Sequence, residues 1–223
     1  RTRRNKELES LLLGFMQEIA TIRVLDPACG SGNFLYVSLL LLLGLWKEVW
    51  TLTGTLGLTL PLALDDVAPS PLQLHGIEIN PFAHELAQVT IWIGYIQWLR
   101  ENGFGTPREP ILKPIESILL MDAILAYDAA GNPIEPEWPE ADVIVGNPPF
   151  LGDKKMRAQL GPPYLRDLRG LYAGRIPGQS DLVCYWFEKA RAALVFGHAA
   201  RVGLLATQGI RAGANRAVLV SRA

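Results

Sequence analysis

Cysteine and histidine are scarce in this sequence, which has only two cysteines and three histidines in 223 residues. Cys29 and Cys184 are too few for a disulfide framework, and they indicate a reducing compartment. The histidines, His75, His84 and His198, lack the spacing to the cysteines that a zinc site requires. We therefore expect no metal centre and a cytoplasmic location.

Long apolar runs and an excess of one charge are also missing. The longest apolar stretch, residues 34–46, has 13 residues and is interrupted by Ser38 and Gly44. Because a membrane span needs about 20 residues, this stretch predicts a buried helix. The net charge is −1, so contact with a polyanion such as nucleic acid has to come from local patches.

Two such patches are visible in the second half of the chain. Residues 151–180 carry six basic residues against two acidic ones, and residues 201–223 carry four arginines and no acid. The rest of the chain is correspondingly acidic. This asymmetry favours a polyanion bound near the two basic patches, although arginines can also simply solvate a surface.

The most informative stretch is Val-Ile-Val-Gly-Asn-Pro-Pro-Phe at residues 143–150. Its β-branched run is typical of a buried strand, and Pro148 and Pro149 must end that strand because neither can donate a ladder hydrogen bond. Asn147 and Phe150 are thereby held on a stiff turn at the carboxyl end of a strand, where open α/β sheets bind ligands. Asn-Pro pairs also occur as simple turn formers.

A glycine-rich turn lies far upstream of that stretch. A short strand at 22–25 is followed by Asp26-Pro27-Ala28-Cys29-Gly30-Ser31-Gly32-Asn33-Phe34 and by the apolar helix. A nucleotide-binding βα unit needs this succession, because glycine permits positive φ and lets a ligand contact the backbone. A dinucleotide fingerprint would require a small residue where Leu35 stands, and no Gly-Lys-Ser or Gly-Lys-Thr marks a phosphate loop.

Strand and helix patterns alternate along the remaining chain. Further helices are predicted at 5–20, 81–100, 180–196 and 214–220, and further strands at 72–79, 115–120 and 202–206. We predict loops at 51–71, 127–140 and 151–179, the last with at most a short helix. Asn80 and Pro81 are suited to begin the helix at 81–100. Glu78 ends the strand before it and can accept two hydrogen bonds from ribose hydroxyls, unless it is only a solvated strand-end acid.

These motifs carry a family resemblance. The nonapeptide at 26–34 resembles motif I of adenine methyltransferases that use S-adenosylmethionine (SAM), and the tetrapeptide at 147–150 resembles the catalytic motif of amino-group methyltransferases. The segments that resemble the methyltransferase region of MmeI-like type IIG restriction–modification enzymes are 76–81, 91–98, 147–152 and 181–187. Motif I precedes the catalytic motif, which is the γ arrangement.

The resemblance implies a fold and a domain organisation. The expected fold is α/β, a Rossmann-like SAM-dependent methyltransferase fold with a mainly parallel sheet, helices on both faces and the last two strands lacking. Residues 1–20 are expected to form an N-terminal helical segment, and residues 21–223 a C-terminally incomplete catalytic domain. A target recognition domain would lie elsewhere in a longer bacterial or archaeal protein, and a nuclease region, if that protein has one, would also lie outside this chain.

The resemblance also implies a reaction, in which the methyl group of SAM is transferred to N6 of an adenine flipped out of double-stranded DNA. Asn147 and the Pro148 carbonyl would accept the N–H bonds of the adenine, and Phe150, after Pro149, would stack on its ring. Asp122 would accept a hydrogen bond from the cofactor's adenine amino group. The implied cofactor-binding residues are Asp26, Pro27, Ala28, Gly30, Gly32, Asn33, Phe34, Glu78, Ile79, Asp122 and Ala123. Candidate DNA contacts are Lys154, Lys155, Arg157, Arg166 and Arg169.

Two alternatives remain open. The chain could methylate another amine, such as guanine N2 in rRNA or a protein glutamine, since those families share the Asn-Pro-Pro-aromatic motif. It could also be an inactive fragment that binds SAM weakly, because the family's Thr-Pro segment and last strands are missing. A cysteine nucleophile is not expected, since neither cysteine follows a proline.

Overall fold

The computed structural model describes residues 3–58, 68–105 and 114–220. The elements of the first half are α1 (Arg3–Thr21), β1 (Val24–Asp26), α2 (Asn33–Thr55), β2 (Leu74–Glu78), α3 (Pro81–Glu101) and β3 (Ile118–Leu120). Those of the second half are β4 (Ala126–Tyr127), β5 (Pro133–Ile134), β6 (Val143–Gly146), α4 (Asp153–Leu160), α5 (Pro162–Leu171), α6 (Val183–Val195), β7 (Arg201–Leu204) and α7 (Gly213–Val220). Short 3-10 turns lie at Pro71–Gln73 and Gln208–Arg211.

The central sheet consists of five parallel strands in the order β3-β2-β1-β6-β7. Its centre is β1, where Val24 pairs with Leu74 of β2 on one side and with Val143 of β6 on the other. The strand order reverses between β1 and β6, which makes this the point where doubly wound sheets bind ligands. Strands β4 and β5 form a separate antiparallel ribbon.

Helices cover both faces of the sheet, because successive strand residues point to opposite sides. The first core lies against α2 and α3, and its strand residues are Val24, Leu74 and Ile118. The second core lies against α4, α5, α6 and α7, and its strand residues include Leu25, Ile77 and Ile144. The predicted fold class, a Rossmann-like and mainly parallel α/β sheet with helices on both faces, is confirmed.

Helix α2 is longer than predicted. It continues to Thr55, so residues 51–55 are helical and not part of a loop. The reason is a second buried surface, since Trp46 and Val49 pack against Met16 and Ile19 of α1. The rest of the predicted loop falls partly on residues 59–67, which lie outside the described residues.

By length and apolar composition alone, α2 could cross a membrane. In the fold one side of it is core, because Leu35, Leu39 and Leu43 are fully buried against the sheet and α3. Its outer side carries the exposed Val37 and Leu41, which raise its hydropathy further. The expectation of a buried helix is therefore correct for one face of α2.

Two helices, α4 and α5, occupy the stretch 151–179 that was predicted to be mostly loop. That prediction is wrong because each helix buries only one or two side chains, too few for a readable period. Met156 is the buried residue of α4, and Leu165 and Leu168 are those of α5. Prolines suit the first turn of α5, where backbone N–H groups have no partner within the helix.

The other element boundaries lie close to the predicted ones. The side chain of Asn80 accepts hydrogen bonds from the backbone N–H groups of Phe82 (2.9 Å) and Ala83 (3.2 Å), which confirms the predicted cap of α3. Helix α6 begins at Val183 and not at 180. The loop predicted at 127–140 contains part of the β4–β5 ribbon.

Candidate functional site

The carboxyl ends of β1, β2, β3 and β6 surround a cavity of about 500 Å³, here called the carboxyl-end cavity. The strand-end loops contribute Pro27, Ala28, Glu78, Ile79, Met121, Asp122, Ala123, Asn147, Pro149 and Phe150. Helical segments contribute Gln159, Leu160, Tyr164, Leu182 and Trp186. The structure therefore brings both sequence motifs, Glu78 and Asp122 together at the strand-order reversal.

The glycine turn between β1 and α2 has the backbone geometry that only glycine adopts easily. Gly30 has a φ of 54° and Gly32 a φ of 84°. A Cβ atom at Gly32 would lie 3.1 Å from the Cα of Ala87 on α3, so a side chain there would be both strained and crowded. Gly30, Gly32, Asn33 and Phe34 form the turn and the helix start and do not line the cavity.

Glu78 joins two of the loops at the cavity. Its Oε2 accepts a hydrogen bond from the Gly30 N–H (2.9 Å), and its Oε1 accepts one from the Asn80 N–H (2.7 Å). Each carboxylate oxygen has two acceptor positions. Glu78 therefore fixes the glycine turn to the end of β2 and keeps acceptor capacity for hydroxyl groups of a ligand.

Asp26 lies behind the cavity wall and is fully buried. Its Oδ1 accepts a hydrogen bond from the Ala28 N–H (3.0 Å), whereas its Oδ2 is buried without a partner among the described residues. Burial raises the pKa of Asp26 to about 7; the Ala28 hydrogen bond opposes this shift and the negative Glu78 adds to it. The Asp26 carboxyl group is therefore neutral at mildly acidic pH, where an ordinary aspartate is ionised.

Gly146 is a sterically constrained position that the sequence interpretation did not assign to the site. A Cβ atom there would lie 2.6 Å from Asp26 Oδ1, so a larger residue would force the buried Asp26 side chain to shift. The Gly146 carbonyl also accepts a hydrogen bond from the Leu205 N–H after β7 (2.9 Å). The sequence signal was present, since this glycine directly precedes Asn147.

The tetrapeptide at 147–150 projects from the end of β6 between two anchors. Before it, the Gly146 carbonyl accepts the hydrogen bond from Leu205 described above. After it, the Leu151 carbonyl accepts a hydrogen bond from the Leu182 N–H (2.9 Å). Asn147 is exposed, and the Phe150 ring is 45% exposed at the cavity. The Asn147 amide and the Phe150 ring are therefore accessible to a ligand, and the turn that carries them is hydrogen-bonded to the rest of the fold on both sides.

Two aromatic residues complete the cavity, and neither was predicted to belong to the site. Trp186 of α6 donates a hydrogen bond from Nε1 to the Pro27 carbonyl (2.9 Å), which fixes the first residue after β1. Tyr164 of α5 donates to Asp122 Oδ2 (2.7 Å). Trp186 lies in the family-like segment 181–187, whereas Tyr164 gave no signal because its helix was predicted as loop.

The basic residues that follow the tetrapeptide at 147–150 lie on α4 and α5. Four of the five candidates, Lys154, Lys155, Arg157 and Arg166, are exposed. Two of the arginines are paired: Arg166 lies 2.9 Å from Asp167 Oδ1 on the same helix, and Arg169 forms an ion pair with Asp153 that ties α5 to the start of α4. The exposed cations follow the tetrapeptide directly, and they give the rim of the site a positive surface.

Metal and thiol chemistry find no support in the residues that the structure describes. Among them no group of three or more histidine, cysteine or acidic side chains could hold a metal ion. Burial raises the pKa of both Cys29 and Cys184 to about 12. Both therefore remain protonated thiols, which are poor nucleophiles.

Comparison with known proteins gives concordant results. The chain matches the family described as "MmeI, DNA-methyltransferase domain" over residues 2–222. It is 30% identical to DNA methyltransferase A of Bacillus subtilis (strain 168), in a match that covers 81% of this chain and 20% of that protein.

Two solved structures are similar to the whole arrangement. One is the type IIL restriction–modification enzyme MmeI in complex with DNA, with a TM-score of 0.72, 27% identity and coverage of 95% of this chain and 28% of that one. The other is the ATP-dependent type ISP enzyme LlaBIII bound to DNA, with a TM-score of 0.56, 16% identity and coverage of 89% and 13%; this likeness supports the fold alone. The chain thus spans less than a third of the length of each of these relatives.

Proposed function

We propose that this chain, which belongs to the family of MmeI DNA-methyltransferase domains, transfers the methyl group of SAM to N6 of an adenine in DNA. The family membership confirms the resemblance that the sequence motifs carry. The modification would be one part of a restriction–modification system, with target recognition supplied by regions of a longer protein. The observation that carries the proposal is the convergence of Asn147, Phe150, Glu78 and Asp122 on one cavity at the strand-order reversal.

The residues around the cavity fit the proposed cofactor. SAM carries a positive sulfonium centre, two ribose hydroxyl groups and an adenine amino group. Glu78 has acceptor positions left for hydroxyls, and Asp122 is an acceptor within the cavity wall. Asp26 adds a buried carboxyl with an unpartnered oxygen close behind the wall, and at Gly32 a Cβ would meet α3. The two acidic side chains in the cavity wall, Glu78 and Asp122, favour a cationic ligand.

The catalytic role of this chain falls on the tetrapeptide. The lone pair of an adenine amino nitrogen is delocalised into the ring, so this nitrogen is a weak nucleophile. The amide oxygen of Asn147 and the carbonyl of Pro148 are acceptors for its two N–H bonds, and they stabilise the positive charge that develops as the nitrogen attacks. When bound, the cofactor supplies an electrophilic methyl group for direct transfer, without a covalent enzyme intermediate.

Phe150 has a separate part in binding the target base. Its ring is exposed at the cavity, where it can stack on an adenine rotated out of the duplex. The cations Lys154, Lys155, Arg157 and Arg166 on the adjacent α4 and α5 can contact the phosphates on either side of that base. Arg166 and Arg169 are the weaker of the proposed DNA contacts because they are paired with Asp167 and Asp153.

A binding experiment followed by nucleoside analysis tests the proposal. Calorimetric titration of the 223-residue chain with SAM should give saturable binding at one site, and Gly30→Val should lose it. Incubation with radiolabelled SAM and adenine-containing duplex DNA should yield N6-methyladenine after digestion to nucleosides. Label in rRNA or in protein glutamine would favour methylation of another amine. Absence of SAM binding by a folded sample would contradict the proposed cofactor site.

A further inference from the structure

Asp122 is held more tightly than its place in a loop suggests. Its Oδ1 accepts hydrogen bonds from the backbone N–H groups of Ile124 (2.8 Å) and Leu125 (3.2 Å). Its Oδ2 accepts one from the hydroxyl of Tyr164 (2.7 Å). Since a carboxylate can accept about four hydrogen bonds, one acceptor position on Oδ2 remains, and Asp122 lies in the wall of the cavity.

Tyr164 reaches Asp122 from a different part of the fold. It belongs to α5, whose Leu165 and Leu168 are buried in the second core. Burial, and after it the negative charge of Asp122, raises the pKa of Tyr164 above its ordinary range. The hydroxyl therefore stays protonated and remains a hydrogen-bond donor to Asp122 over the physiological pH range. The Asp122 carboxylate is therefore hydrogen-bonded at both oxygens, by its own loop and by α5.

We propose that Tyr164 is a positioning residue that leaves Asp122 with a single, fixed acceptor facing the cavity, and that this arrangement selects a cofactor base with an exocyclic amino group. This inference rests on the proposed function, since it assigns the acceptor to the adenine of SAM. An adenine amino group can donate one N–H bond to that position. A 6-oxo base such as hypoxanthine would instead bring an oxygen against the carboxylate, and a buried mismatch of this kind is costly.

The rigidity of Asp122 is what makes the selection effective. Hypoxanthine does have an N–H donor, at N1, but that donor lies one ring position away from the exocyclic group. A carboxylate free to rotate could follow it, whereas one held by Tyr164 could not. Removal of the Tyr164 hydroxyl should therefore weaken adenine binding and, above all, reduce the preference for adenine over hypoxanthine.

Tyr164→Phe tests the inference by calorimetry with S-adenosylhomocysteine and with its 6-oxo analogue, S-inosylhomocysteine. The wild-type chain should prefer the adenine compound. Tyr164→Phe should bind it roughly tenfold more weakly, because the acceptor on Asp122 is less well positioned, which corresponds to about 1.4 kcal/mol; the loss for the inosine compound should be smaller. A merely structural role of Tyr164 would weaken both compounds equally and leave their ratio unchanged.

Tyr127→Phe is a matched control. The Tyr127 hydroxyl also donates to a carboxylate linked to α5, Asp167 Oδ2 (3.1 Å), but Tyr127 is 51% exposed and lies outside the cavity. This variant should keep the wild-type ratio. An unchanged ratio in Tyr164→Phe, with binding by the wild type intact, overturns the inference alone. Failure of the wild type to bind S-adenosylhomocysteine overturns the proposed function together with it.

Discussion

Two cavities of about 500 Å³ lie at opposite ends of helix α6, and only one of them has the character of a ligand site. The carboxyl-end cavity contacts Trp186 near the start of the helix. The second cavity contacts Lys189, Ala192 and Ala193 in the second half of the helix and is otherwise lined mainly by the segment 135–140 before β6. It is here called the amino-end cavity, because it lies near the amino end of strand β6. Their similar size shows that volume does not distinguish them.

The polar groups of the amino-end cavity satisfy one another. Lys189 is buried, and its ammonium group donates to the Pro136 carbonyl (2.6 Å) and to Glu135 Oε1 (3.3 Å). Arg175 donates to the other oxygen of Glu135, and Lys189 lies 5.0 Å from the ring centroid of Trp138. Burial lowers the pKa of Lys189, while Glu135 opposes this shift. These contacts hold the segment 135–140 onto α6.

The carboxyl-end cavity differs because its acceptors have capacity left. In its wall, Glu78 and Asp122 each keep at least one acceptor position. Behind the wall, Asp26 Oδ2 has no partner among the described residues. Glu78 and Asp122 are partly buried, so their free acceptor positions favour a ligand that supplies hydrogen-bond donors or positive charge. The comparison teaches that unused hydrogen-bonding capacity, and not volume, identifies the site.

Asn147→Ala should produce the largest effect, and it acts at the carboxyl-end cavity only. Without the amide oxygen, charge that develops on the target nitrogen loses an acceptor, so methyl transfer should fall by about a thousandfold or more. The calorimetric affinity for SAM should stay within about twofold of wild type, because Asn147 is exposed and is not assigned to the cofactor. Equal turnover by the variant would contradict the catalytic role of Asn147.

Asp26→Asn should remove the part of the pH dependence of stability that is due to the Asp26 carboxyl group, which lies behind the carboxyl-end cavity. The pKa of Asp26 is raised from 3.8 to about 7 in the folded chain, so the neutral carboxyl favours the folded state. Its contribution is fully present below about pH 4 and is lost as the pH rises through about 7. In wild type this contribution to the free energy of unfolding should decrease by up to about 4 kcal/mol between pH 4 and pH 8.

Urea unfolding of the wild type and of Asp26→Asn across that pH range provides the measurement. The difference between the two proteins cancels the titration of other groups that both share. The free energy of unfolding of the wild type minus that of Asp26→Asn should be largest at pH 4 and should decrease steadily towards pH 8. A constant difference would show that Asp26 has an ordinary pKa in the folded chain.

Lys189→Met should have the smallest of the three effects and only on stability. The substitution leaves Glu135 with Arg175 as its remaining cationic partner, and it should lower the free energy of unfolding by about 2–3 kcal/mol, less than the loss of an isolated buried pair. SAM affinity should be unchanged, since Lys189 does not line the carboxyl-end cavity. Selective loss of SAM binding in a stable variant would mean that the two cavities are coupled.

The elements that the sequence predicted well are those with long or unambiguous local signals. The glycine turn, the strand that ends at Asn147 and the cap at Asn80 each depend on residues a few positions apart, and all three are confirmed as structural features. Helices α4 and α5 escaped prediction because their buried faces are short and separated by Gly161. With α5 undetected, Tyr164 could not be assigned to the site.

The sequence by itself determined the α/β alternation, the two motifs and the family to which they belong, because these depend on local residue order. Only the tertiary structure decided which side chains share a cavity and which hydrogen-bond acceptors remain unused. The fold places Asp26 behind the cavity wall, next to Gly146, and its contact with the cofactor stays a prediction. Asp122 was predicted alone, yet it is held by Tyr164 from a helix 42 positions away. Both outcomes depend on packing between distant segments, which local sequence patterns do not encode.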